Sequence, residues 1–333
     1  RINQAEIPEF MAETGLDVNG DGIVVASEII AWMIENNVGD LNQDGAINLR
    51  DAVSDGSPFE DFEDNDGNGY VDDLLGWDAS GWYGVPDIDP YPKEDQSPSG
   101  GWAHGTHVAG VLGAITNNEV GIASTSYNPK ILSVKVSRDG QSGEPGISDG
   151  SAGITYAAKA GHVDSNNNNE WDAGESFAII NNSWGGHGPP MASEESVVNN
   201  AFNNYGAVVV GAAGNGDGTL YDDHYPSSYD NCISVCAIGC SYNWGNWATY
   251  HPTVNIASPG ENIRSTLVGN NYASWTGTSM ASPVAASCAG LLYSYYPSSC
   301  RQLRVVSISS DFISLDTCTN KYKLYSLTYT SPF

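Results

Sequence analysis

No apolar run in this 333-residue chain is long enough to cross a bilayer, and those present are short, such as Ala207–Ala213. Basic residues are scarce: 12 Lys and Arg stand against 40 Asp and Glu, for a net charge of −28. That balance excludes nucleic acid as a partner, because phosphate binding needs the opposite sign. Cysteine is sparse as well, and six in a chain this long exclude a disulfide-dense scaffold. Cys232, Cys236 and Cys240 recur every four residues, but no Cys-x-x-Cys or histidine partner accompanies them. They read as small buried residues on and beside a strand over Ile233–Ile238 rather than as zinc ligands. No secretory leader is visible, and the chain opens on Arg1-Ile2-Asn3 rather than on methionine.

What is present in excess is acid, glycine and asparagine. Residues 1–100 hold 23 of the acidic groups and three basic ones, while 38 glycines imply many tight turns. Dense carboxylates repel one another unless cations neutralise them, which points to metal binding or to an extracellular, salt-tolerant surface. A solvated acidic face is the plain alternative, and residue spacing has to decide between them.

The length allows one large core or two modest ones. The first hundred residues are acidic loops around short apolar stretches, of which Glu28–Ile34 reads as a helix, and a Pro-containing connector runs from Pro86 to Gly101. Beyond it, Ile131–Val136, Phe177–Asn181 and Ala207–Ala213 are β-branched apolar runs expected of strands buried on both faces. Helical stretches lie between them at Ile147–Ala160 and Ser193–Tyr205, the second with Ser193 as its expected N-cap. Strand and helix in alternation predict an α/β fold, a mostly parallel sheet with helices on its faces. Catalytic groups in such sheets gather at the carboxyl ends of the strands. The last 33 residues differ, with four basic and two acidic groups, no glycine and no convincing periodicity. The expected organisation is an acidic insertion over 1–63, a main domain over 64–300 and a divergent or aberrant tail over 301–333.

Three segments place a reactive side chain beside glycine. His104-Gly105-Thr106-His107-Val108-Ala109-Gly110 opens a helix, Gly211-Ala212-Ala213-Gly214-Asn215 follows a buried strand, and Gly277-Thr278-Ser279-Met280-Ala281-Ser282-Pro283 opens a helix running to about Tyr296. A serine becomes a nucleophile when a histidine takes its proton. The oxyanion that forms needs donors, and an asparagine amide with a backbone N–H supplies them. A serine at a helix N-terminus gains from the free N–H groups and the helix dipole. Taken singly, a lone histidine is ordinarily a core or surface residue, Gly-Asn a turn and Gly-Thr-Ser a helix cap.

Taken together, in this order, the segments resemble the subtilases, the subtilisin-like serine peptidases, over about Asp64 to Pro297. The resemblance implies a three-layer subtilisin-like fold and hydrolysis of peptide bonds in protein or peptide substrates. By it, His104 is the general base, Ser279 the nucleophile and Asn215 the oxyanion donor, with His107 the structural histidine of the signature. Asn182-Ser183-Trp184-Gly185-Gly186 resembles the family's substrate strand, whose backbone pairs with an extended peptide. Ser183, Trp184, Gly185, Gly186, Ala212 and Ala213 are the substrate-binding residues so implied. The family's third catalytic group is an aspartate in an apolar strand, followed by Ser/Thr-Gly, and no such strand precedes His104. Asp55-Gly56-Ser57 is the nearest candidate. Asn3-Gln4-Ala5-Glu6-Ile7-Pro8 resembles a stretch that follows that aspartate in some members, so the expectation is an N-terminally truncated chain whose aspartate lies upstream of Arg1.

The acidic loops have a grammar of their own. Asp17, Asn19, Asp21, Gly22 and Glu28 follow the EF-hand pattern of oxygen ligands at alternate positions, glycine sixth and a carboxylate twelfth. Asp40, Asn42, Asp44, Gly45 and Asp51 repeat it. Asp64, Asp66, Asn68 and Gly69 begin a third copy, closed early by Asp72 and Asp73, in a string that also resembles a calcium loop of some subtilases. A fourth is Asp164, Asn166, Asn168 and Asp172 with Glu175 twelfth, lacking the sixth glycine. Asn117-Asn118-Glu119-Val120-Gly121 resembles a further family calcium loop, with Asn118 its side-chain ligand. Calcium, Ca2+, is the cofactor expected, and a secreted location outside the cytoplasm goes with it. Two alternatives remain: a dockerin-like, calcium-dependent binding module built on the tandem loops at 17–28 and 40–51, and a pseudo-protease scaffold lacking the aspartate.

Overall fold

A computed structural model describes residues 2–92, 101–127, 129–139, 145–168, 170–216 and 223–295. The tail expected over 301–333 lies outside the described residues, as do residues 93–100 of the connector. In chain order the first elements are α1 (Ala26–Glu35), β1 (Gly76–Trp82), β2 (Val85–Asp87), α2 (His104–Gly113), β3 (Ser133–Lys135) and α3 (Gly150–Gly161). There follow β4 (Ile179–Asn182), β5 (Gly186–His187), α4 (Ala192–Tyr205), β6 (Val208–Ala212), β7 (His224–Tyr225) and β8 (Cys232–Ile238). The last are β9 (Val254–Pro259), β10 (Ile263–Leu267), β11 (Asn271–Trp275) and α5 (Thr278–Tyr295). The chain divides into two compact units, one of residues 1–96 with 130–160 and one of 97–129 with 161–333.

The first unit has a core seeded by α1. Ile29, Trp32 and Met33 recur at helical spacing and are buried against Met11, Leu16, Val53, Phe59 and Leu74. Trp32 and Phe59 meet edge to face at 5.6 Å. A three-stranded sheet of order β2-β1-β3 belongs to this unit, with β1 and β3 parallel and β2 antiparallel to β1. Beside it three carboxylates, Asp78, Asp87 and Asp139, gather around one ammonium. Lys135 donates to Asp78 and, at 2.7 Å, to Asp139. Asp78 is fully buried and Lys135 nearly so.

The second unit holds the four-stranded parallel sheet, of order β4-β6-β8-β9. Its helix α5 packs across all four strands, α4 packs on β6, and α2 packs on α5 and β10. This is the α/β arrangement that the alternating pattern predicts, a parallel sheet flanked by helices, with β6 and β8 its most buried strands. Val210, Val235, Cys236 and Ala237 of the sheet meet Ala281 and Ala286 of α5 in one apolar cluster. Cys232 and Cys236 are buried free thiols on β8, in line with the apolar reading, whereas Cys240 departs from it: it is exposed, just past the strand, and disulfide-bonded. Ser193 is not the N-cap of α4. The helix begins a residue earlier, capped by Met191 without a side-chain hydrogen bond, because Ser193 has already entered the first turn. The helix ends at Gly206, in the left-handed conformation at φ 64°, and a side chain there would stand 2.5 Å from the Trp171 ring.

Replacing Lys135 with Met would strand the buried Asp78 carboxylate without its cation. The expected loss is about 3–5 kcal/mol of unfolding free energy, read by chemical denaturation. A Lys135→Met variant as stable as the parent would show that the ion pairs contribute nothing.

Candidate active site

His104 is the first residue of α2, Asn215 lies just past the end of β6, and Ser279 is the second residue of α5. Together with Ser274, Trp275, Thr276, Gly277 and Met280 they line one cavity of about 410 Å³. The site is therefore built at the amino ends of two helices and the carboxyl end of a parallel strand, where free N–H groups face outward.

A proline sets the local geometry of Ser279. Pro283, four residues on within α5, has no N–H to give to the Ser279 carbonyl. That carbonyl accepts instead from the Ser183 hydroxyl at 2.8 Å, and the Ser279 hydroxyl donates to the Ser183 carbonyl at 3.1 Å. The network continues inward: Ser282 donates to Asn181 at 2.7 Å, and the Asn181 amide donates to Ser183 at 2.9 Å. Asn215 is held from the same helix end. Its Oδ1 accepts from the Thr278 amide at 2.9 Å and the Thr278 hydroxyl at 3.0 Å, which leaves Nδ2 to donate elsewhere. The Thr278 oxygen also accepts from the Gly214 amide at 3.1 Å.

The histidines share one aromatic partner. Trp275 stacks on buried His107 at 4.5 Å and 4°, and on His104 at 6.3 Å and 25°. His107 is fixed further by Nε2 against the Ala273 carbonyl at 3.2 Å. Burial first, and the neighbouring His107 second, lower the pKa of His104 below its ordinary value of 6.5, so its ring stays neutral and able to take a proton. Among the described residues no carboxylate is hydrogen-bonded to His104. Asp55 is exposed in the turn after the 3-10 helix Leu49–Val53, outside any strand.

Of the substrate residues expected, Ser183 is buried and bonded to Ser279, Trp184 is half-buried, and Gly185 and Gly186 are exposed. Ala212 and Ala213 are buried at the end of β6. His224 enters between these segments: a Cβ on Gly185 would come 2.3 Å from its ring and one on Gly214 2.8 Å. Its Nδ1 is buried with no hydrogen-bond partner among the described residues. Burial, then the nearby His187, pushes its pKa down to about 4. Sequence reading passed over His224, Thr278, Trp275 and Asn181. The Ser279 to Pro283 spacing was the one available signal, since it announces a free carbonyl.

The acidic loops fold alike. In the loops opening at Asp17, Asp40 and Asp64, the first carboxylate accepts from the sixth-position amide at 2.8 Å. In these and in the loop opening at Asp164, the third side chain accepts from the fifth amide. The sixth residues Gly22, Gly45 and Gly69 have φ of 80°, 95° and 92°, while residue 169 lies outside the described residues. The twelfth carboxylates also agree: Glu28, Asp51 and Glu175 each accept from the second and ninth amides of their loops. The loop at Asp64 departs from this, because its ninth residue, Asp72, turns back to the amides of Asp61 and Phe62. Asp73 faces Asp66 and Glu6 instead. Asn118 accepts from the Val120 amide at 3.1 Å between two left-handed neighbours, Asn117 and Glu119. Oxygen-only sets of this kind suit a hard cation.

Comparison with known proteins gives a consistent result. The profile of the subtilase family matches residues 78–311. Thermitase from Thermoactinomyces vulgaris is 36% identical over 243 residues, covering 73% of this chain and 77% of its own. A thermophilic serine proteinase from a Bacillus species is 36% identical over 240 residues, 70% of this chain, and the chain spans 54% of that relative's length. Among solved structures, a psychrophilic protease superimposes with a TM-score of 0.54 at 25% identity, covering 68% of this chain and 73% of its own.

The depressed pKa of His224 has a consequence for stability. Between about pH 4 and 6.5 the unfolded chain binds this proton and the folded chain does not, so stability rises with pH across that window and is level above it. Replacing His224 with Gln should flatten the dependence by at most roughly 3 kcal/mol. Denaturation at pH 4.5 and 7.5 reads the difference, and an equal slope in the two proteins would refute the assignment.

Proposed function

The chain belongs to the subtilase family, and from that membership we propose that it is a subtilisin-type serine endopeptidase stabilised by calcium. Ser279 attacks the substrate carbonyl while His104 takes its proton, and an acyl-enzyme forms as the amine leaves with that proton. The Asn215 Nδ2 and the Ser279 amide donate to the oxyanion. His104 then deprotonates the water that releases the acyl group. One observation carries this reading: His104, Asn215 and Ser279 open onto a single cavity. An extended peptide would lie along Ser183–Gly186, with Ala212 and Ala213 on its other side.

The loops opening at Asp17, Asp40, Asp64 and Asp164 are the calcium sites of this reading, with Asn118 at a fifth. A structure relying on several such ions works where calcium is abundant, outside the cytoplasm. The insertion reading of the tandem loops is favoured over a docking module because the second loop is followed by the 3-10 helix Leu49–Val53, not by an amphipathic α-helix.

An active-site serine probe such as a fluorophosphonate tests the mechanism. Labelling should occur at Ser279 and vanish in Ser279→Ala, and a variant labelled as strongly as the parent would sink the nucleophile assignment. With no carboxylate among the described residues bonded to His104, turnover of a peptide substrate should be weak, about four orders of magnitude below a complete triad. Excess chelator should lower the melting temperature by several degrees or more. A melt indifferent to the chelator counts against the calcium reading of the loops.

A further inference from the structure

The loop opening at Asp64 has no carboxylate in its twelfth position, which is the buried Leu75. Its neighbourhood nevertheless supplies one from a distant part of the chain. Glu6, only 1% exposed, brings an oxygen to within 4.8 Å of oxygens of both Asp66 and Asp73. Its Oε1 accepts from the Asp66 amide at 2.9 Å. Its Oε2 is buried with no hydrogen-bond partner among the described residues.

A buried carboxylate oxygen without a donor is costly, and two more carboxylates facing it add repulsion. Two side-chain amides donate into the cluster, and the Tyr156 hydroxyl reaches Asp73 as well. Asn3 Nδ2 donates to Asp66 at 2.9 Å and to Asp73 at 2.8 Å, and Asn68 Nδ2 donates to each at 3.0 Å. A half-turn of the Asn3 amide would present its oxygen to the same point. Every candidate ligand is then an oxygen, with no imidazole or thiolate, which selects a hard divalent cation over zinc or copper.

We propose that Glu6, Asp66 and Asp73, flanked by Asn3 and Asn68, form a calcium site in which Glu6 replaces the missing twelfth-position carboxylate and the ion ties the Asn3–Glu6 segment to the loop at 64–73. The inference rests on the calcium reading of that loop and extends it to a ligand about sixty residues away in sequence. Binding at this point neutralises three facing carboxylates and gives the orphaned Glu6 oxygen a partner.

The test is calorimetric titration of the full chain with calcium, with terbium luminescence excited through Tyr70 and Trp77 as a second readout. Glu6→Gln should bind one equivalent fewer than the parent, or bind it at least tenfold more weakly. Asp66→Asn should lose the same equivalent, and the double variant should lose no more. Amide hydrogen exchange over Asn3–Met11 should slow on adding calcium to the parent but not to Glu6→Gln. If Glu6→Gln fails to fold by far-UV circular dichroism, Asp66→Asn, altered at an exposed carboxylate, decides the matter. Unchanged stoichiometry and affinity in the folded variants would overturn this site alone. A parent chain that binds no calcium would overturn it together with the calcium reading of the loops, and serine-probe labelling would be untouched by either outcome.

Discussion

The first turn of α5 is the point on which the proposed site depends. A proline four residues after Ser279 removes one helical hydrogen bond and leaves a carbonyl to be satisfied. Ser183 satisfies it and receives the Ser279 hydroxyl in return. The end of β4 and the start of α5 are thereby tied by reciprocal bonds, and Asn181 and Ser282 extend the tie into the interior. Asn215 is pinned by Thr278, one residue earlier in the same turn. Because α5 also spans all four strands and packs on α2, the elements carrying Asn215, Ser183 and His104 all pack on one helix. Buried networks of this kind are satisfied at nearly every member, and a single missing partner leaves the rest exposed to the full desolvation penalty.

Electrostatics make the opposite demand in the first unit. An excess of negative charge acts against compactness, yet most of these carboxylates are not idle. In each acidic loop they accept from the loop's own amides, so the backbone of a glycine- and asparagine-rich segment is held by side chains rather than by helix or sheet. On the calcium reading proposed for them, a cation would meet loops already ordered, and binding energy would not first be consumed in ordering the chain. Around Lys135 the chain uses its own ammonium for the same purpose. At Glu6 Oε2 a buried carboxylate oxygen is left without a hydrogen-bond partner among the described residues.

Much of this was legible from local patterns. The alternation of apolar runs with helical stretches announced the parallel sheet, and β4, β6 and β8 fall within a residue or two of the expected spans. The strand at Ile131–Val136 shortened to Ser133–Lys135, because only those residues find a partner in β1. Ser193 looked like a cap because serine is favoured there, but α4 starts at Ala192 and takes Ser193 into its first turn. Loops with alternate oxygens and a sixth-position glycine could be counted off directly, since the bonds from their carboxylates to their own amides are local.

By itself the sequence determined the reactive groups, their order, the family and the repeating acidic loops, all of which reside in short strings whose chemistry is local. Only the tertiary structure decided which donors and acceptors are left over. That Asn215 Oδ1 is taken by Thr278, that Ser279 is bonded to Ser183, that His224 lies between Gly185 and Gly214, and that Glu6 meets Asp66 are facts about distant segments. The physical reason is that hydrogen-bond satisfaction and desolvation depend on everything within a few ångströms, and a folded chain fills that space with residues from anywhere along its length.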